Sequence, residues 1–121
     1  MSDQAIEQEI QAKGKTAARV TPDDIEANIA DETYFTAAEG RHGHSHKKHG
    51  FDYEIEADGP LHLLTFCVLT LGNGFTVTGE SACASPENFD ADIGRKIARA
   101  NAVQKIWPLM GYELRTKLAG A

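Results

Sequence analysis

The sequence predicts a small α+β domain, a three-stranded antiparallel meander packed by a long C-terminal helix plus an N-terminal helix. Three observations lead there. Residues 51–57 alternate apolar and acidic side chains with the period of a half-buried strand. An apolar run, 61–71, and an alternating stretch, 75–81, flank Gly72-Asn73-Gly74, whose residues tolerate the positive φ of a hairpin turn. Beyond Pro86, apolar residues recur at helical spacing as far as Trp107. A chain of 121 residues has room for one core, and 7% aromatic residues make it a modest one.

Taken in order, residues 1–20 are rich in Gln, Ala, Lys and Glu, and Ala5, Ile6 and Ile10 form at best one weak stripe, so a flexible tail is expected. The domain then spans 21–118. Thr21 is placed as an N-cap with Pro22 at the first helical position, and Asp23 and Asp24 face the positive end of the helix. This helix is expected to run to about residue 31. Residues 40–50, GRHGHSHKKHG, contain no apolar side chain, three glycines and four histidines, which reads as an exposed His-rich loop. The alternation over 51–57 fits an edge strand. The run 61–71 is apolar on both parities, so it belongs in the centre of the sheet. Ser85 is the expected cap of the long helix, with Pro86 at its first position. Phe89, Ile93, Ile97, Ala100 and Trp107 form its packing face, with Gln104 at the stripe's edge and Pro108 ending or bending it. One covering helix leaves the other sheet face bare. The first helix with Tyr34, or a second subunit, must cover it, and a homodimer is the expectation.

The formal charge is −6. That argues against broad nucleic-acid binding and against an anionic membrane surface. The charge is also uneven, −7 over residues 1–60 and +1 beyond, because Arg95, Lys96, Arg99 and Lys105 cluster in the second half. No secretory signal and no bilayer-spanning run are evident, so a cytoplasmic location is expected. Cys67 and Cys83 match neither a redox pair nor a zinc ribbon and read as reduced thiols.

The stretch LTFCVLTLGNGFTVTGESACASPENFDADIGRKIARANAVQKIWPLMGY resembles a small-protein family of tailed bacteriophages and prophages, named after a gene 49 product and a gene 66 product. The resemblance covers roughly residues 18–118, including TPDDIEANI and TYFTA, and its specific blocks are NGFTVTGESA, SPENFD and IGRKIA. It implies a phage or prophage origin and a protein present in the cytoplasm of the bacterial host. It implies no catalytic activity. GRHGHSHKKHG is not a block of that family and reads as a variable insertion.

Three groups of residues are candidates for chemistry. His42, His44, His46 and His49 offer imidazoles suited to Zn²⁺, Ni²⁺ or Cu²⁺, but a flexible loop does not preorganise them, so a solvated loop is the plainer expectation. Cys83 precedes an expected helix N-terminus, which can lower a thiol pKa. A nucleophile also needs a base, and spacing does not bring His62 near. Ser81, Cys83 and Ser85 belong to a run of small residues whose backbone N–H groups can bind an anion. Arg95 and Arg99 could grip a phosphate but lie two to three turns on, so they would join one anion only across an oligomer. The chain lacks a P-loop, a GxSxG element, a recognisable pair of catalytic carboxylates and a structural metal pattern. No cofactor is expected. The leading reading is non-enzymatic binding of a host protein or host signal, and the alternatives are an oligomeric binder of a small phosphorylated ligand and a metal-binding histidine loop.

Overall fold

The computed structural model describes residues 2–49 and 59–120. They form α1 (Asp3–Ala12), α2 (Pro22–Ala27), β1 (Ile29–Thr36), α3 (Ala37–His49), β2 (Leu64–Leu71), β3 (Thr76–Ala82) and α4 (Ala91–Leu118), with short 3-10 turns at Pro60–Leu63 and Pro86–Asn88. The three strands are antiparallel in the order β1-β2-β3. The α+β class, a three-stranded antiparallel sheet, the long C-terminal helix and an N-terminal helix are as the sequence predicts, but the strand beside β2 opposite β3 is 29–36, where the end of a helix was expected, and not 51–57.

β2 is central because both of its faces are apolar. Thr65, Cys67, Leu69 and Leu71 are buried on one side, and Leu64, Phe66, Val68 and Thr70 are half-buried on the other. The hairpin turns where Gly74 takes φ +89°, and Gly72 N–H donates to the Asn28 carbonyl at 2.9 Å, which ties the turn to the end of α2. The capping box at Thr21 is complete, with Thr21 and Asp24 exchanging side-chain-to-backbone bonds, but the helix stops at Ala27 instead of residue 31. The chain turns there into β1, which pairs with β2 from Ile29↔Leu71 to Thr36↔Thr65. Residues 30–33 of β1 are exposed, and their acidic side chains suit an edge strand. The strand expected over 51–57 lies outside the described residues.

Two further segments differ from expectation. Residues 37–49 are helical where a loop was expected. The cause is a second capping box: Thr36 N–H donates to Glu39 Oε1 at 3.0 Å and Glu39 N–H donates to Thr36 Oγ1 at 3.1 Å. Ala38 is buried, and Gly40 lies against the Phe35 ring, which stacks on Phe66 with centroids 5.4 Å apart. Thus α3 covers part of the sheet face that α4 leaves open.

Residues 3–12, expected as tail, form α1 capped by Ser2. Although α1 buries no residue fully, Arg19 makes a two-pronged bond to Glu7 at 2.5 and 2.7 Å, and Trp107 Nε1 donates to Asp3 at 3.1 Å. The Arg19 guanidinium holds the Glu7 carboxyl down at about 2. The folded value lies below the ordinary 4.5, so the pair's contribution is complete above that value and fades as pH falls toward 2. We expect α1 to loosen over that acid range, read as a change in Trp107 fluorescence. Glu7→Gln should loosen α1 already at neutral pH and flatten the acid transition; an unchanged transition would show that the pair does not hold α1.

α4 packs across β3 and β2, but on a different face from the expected one. Gly94, Ala98, Ala102, Val103 and Ile106 are buried, whereas Ile93 and Ile97 are 55% and 47% exposed. The reason is Gly79 of β3. A Cβ there would sit 2.1 Å from the Ala98 carbonyl oxygen, so the helix backbone lies almost on the strand and only small side chains fit between. The N-cap of α4 is Asp90, accepting from Ile93 N–H at 3.0 Å, in place of Ser85. The helix continues through Pro108, a solvent-exposed position where water can take the carbonyl that proline leaves without a donor.

Candidate interaction site

α4 has 28 residues and is about 42 Å long, while the strands it crosses, of seven and eight residues, span about 23–26 Å. The helix therefore outruns the sheet. Past Met110 none of its residues is buried, and Leu109, Tyr112 and Leu118 stand in solvent, with Tyr112 79% exposed. Nearer its start, Ile93 and Ile97 add to the outward apolar surface. Ile93 and Ile97 were expected on the packing face of the helix. The signal for the correct face was present as the series Gly94, Ala98, Ala102, Ile106, four apart along the helix.

The charge on α4 is opposite to that of the whole chain. It carries Arg95, Lys96, Arg99, Lys105, Arg115 and Lys117 against Asp92 and Glu113. Lys96 pairs with Asp92 at 3.0 Å and Lys117 with Glu113 at 3.6 Å, both on exposed turns where such pairs are weak. Arg99 is different. Its guanidinium binds Glu26 of α2 at 2.7 and 3.0 Å and Glu32 of β1 at 2.5 Å, and it holds the Glu26 carboxyl below its usual range. Arg99 thereby pins α4 to the β1 edge of the sheet.

That placement bears on the expected anion site. Ser81 lies in β3 at the opposite edge from β1, and the Cys83 amide donates to the Leu63 carbonyl at 2.9 Å. Arg99 is therefore spent on carboxylates of α2 and β1, and the Cys83 amide on Leu63. Arg95 lines a cleft of about 210 Å³ with Thr36, Glu39, Thr65 and Phe89. Among the described residues Thr65 Oγ1 is buried there without a partner, and the cleft carries one charge of each sign, Arg95 and Glu39.

Both cysteines are free. Cys67 is buried beside Tyr34. Burial pushes its thiol up and the Tyr34 phenol up to about 12, so neither ionises near neutrality. Cys83 is half-buried with Sγ 3.2 Å from the Ser85 carbonyl. Six residues, a 3-10 turn among them, separate it from the Asp90 cap, so Cys83 does not stand at the N-terminus of α4. His42, His44 and His46 lie on α3, and the side chain of His49 lies outside the described ones. No helix among the described residues is long and apolar enough to cross a membrane.

No curated protein and no solved structure matches the chain. Residues 20–118 match the Phage protein (N4 Gp49/phage Sf6 gene 66) family, a span that takes in α2, the whole sheet and all of α4, and the chain belongs to that family.

Proposed function

We propose that this phage protein acts without turnover, by occupying a protein of the infected bacterium through the exposed apolar side chains of α4. The observation that carries the reading is the set of exposed large apolar side chains on that one helix: Ile93, Ile97, Leu109, Tyr112 and Leu118. Apolar side chains on a single long helix are the anchors of helix-in-groove recognition. Tyrosine is the residue type most often found among interface hot spots, along with Trp and Arg. The cations around these anchors select the partner's chemistry, an apolar groove with an acidic rim. They also disfavour a second copy as the occupant. A twofold contact through α4 would bring together two helices that each carry six cations against two acids.

The test is capture from host lysate on the immobilised full chain, compared with the Ile97→Asp/Tyr112→Asp double variant. A host protein retained in stoichiometric amount, released by salt and lost from the variant supports the reading. Equal retention by the variant, or none by either, overturns it. So does light scattering that finds a dimer turned monomeric by the same changes, which assigns the face to a second copy. A thermal shift with a phosphorylated small ligand that persists in the variant would favour the small-ligand role instead.

A further inference from the structure

We propose that His42 and His46 form a surface clamp for one divalent transition-metal ion of the Zn²⁺, Ni²⁺ or Cu²⁺ class. The helical state of residues 37–49 is what makes this a site. In a loop, four histidines at short spacing are independent donors. On a helix, residues four apart stack on one face with Cβ atoms about 5–6 Å apart. The same i, i+4 pairing supplies two ligands to zinc in helical H-E-x-x-H sites. His44, two residues on, points to the other side of the helix.

The surroundings suit an ion that keeps part of its water. His42 is half-buried and His46 exposed. Next to them Gly43 is open, and a Cβ there would meet nothing within 4 Å. Both residues already make an interaction within the fold. That is compatible with ligation, because a metal-bound imidazole uses one ring nitrogen and is oriented by a partner on the other. Among the described residues no group of three or more His, Cys, Asp or Glu side chains is arranged around a metal ion. The clamp therefore offers two protein donors and leaves the remaining positions to water, so it binds more weakly than a closed four-ligand site.

Binding is linked to the helix itself. Gly40, Gly43 and the histidines are weak helix formers, and among the described side chains of α3 only Ala38 is buried. An ion that binds the helical form alone stabilises it by mass action. Metal binding should thus raise helicity.

The experiment is calorimetric titration of the full, untagged chain with Zn²⁺ and with Ni²⁺, paired with far-ultraviolet circular dichroism. We expect one ion per chain, a gain in helical signal, and a loss of affinity of about tenfold or more in His42→Ala and in His46→Ala. His44→Ala should bind as the parent does. Gly43→Ala, which favours the helix without touching a ligand, should bind more tightly. Absence of binding overturns the proposal. So does a His44→Ala loss equal to the other two, because loose chelation does not distinguish the faces of a helix. An affinity indifferent to His42 and His46 would place any bound ion elsewhere.

Discussion

Gly79→Ala is expected to be the most damaging single-methyl substitution in the protein. The new Cβ would lie 2.1 Å from the Ala98 carbonyl oxygen, 2.3 Å from the Ala102 amide nitrogen and 2.9 Å from the Ala102 Cα. All three are backbone atoms of α4, so no side chain can swing aside. The helix must retreat, and its retreat opens the contact of Cys67, Leu69 and Val77 with Ala98, Ala102 and Ile106. Overpacked cores lose typically about 1–3 kcal/mol and occasionally more. Here the displaced object is a whole helix, and a loss of about 3 kcal/mol or more is expected. In a chain of this size that lowers Tm by on the order of 10 °C. Urea unfolding is the direct measure, read as a fall in midpoint at unchanged slope. Gly111→Ala is the control. It lies on the same helix with nothing within 4 Å of its Cβ, and it should be neutral or stabilising. A Gly79→Ala protein as stable as that control would mean that α4 does not lie this close to β3.

The same contact explains which parts of the fold were legible. The β2–β3 hairpin could be read because its signals are local: apolar residues on both parities, then Gly72-Asn73-Gly74. The Thr21-Pro22 helix start was local too. The strand β1 was not legible, since residues 30–33 face solvent and show no alternation; only the pairing with β2, made through distant residues, defines it as a strand. For α3 the signal is present, as Thr36-Ala37-Ala38-Glu39 has the S/T-x-x-E pattern, but the glycines and histidines that follow are weak helix formers and mask it. α4 carries two interleaved stripes. The bulkier one, with Ile93 and Ile97, looks more like a core, yet a glycine on another element selects the smaller. The roles of Arg99 were beyond reach for the same reason. Its carboxylate partners are 67 and 73 residues away, and nothing near Arg99 in the chain points to them.

Ile106→Ala and Ile97→Ala should separate folding from binding. The two residues have the same side chain on the same helix, and the sequence favours Ile97 as the core member. Ile106 is 0% exposed and packs in the cluster with Leu69, Leu71 and Val77. Truncating it removes buried methyl groups and leaves a cavity, for about 2–5 kcal/mol. Ile97 is 47% exposed, and an exposed truncation of this kind stays within about 0.5 kcal/mol. The order reverses for partner capture. Ile97→Ala should weaken retention of a host protein at full stability. Ile106→Ala should retain it at temperatures where the variant is still folded, because Ile106 faces the sheet. Denaturant midpoints and capture yields on the same two proteins provide both readings. If Ile97→Ala instead unfolds as readily as Ile106→Ala, α4 is rotated relative to the sheet. The outward apolar face then does not exist, and the proposed mode of action loses its anchor together with the fold's account of Gly79.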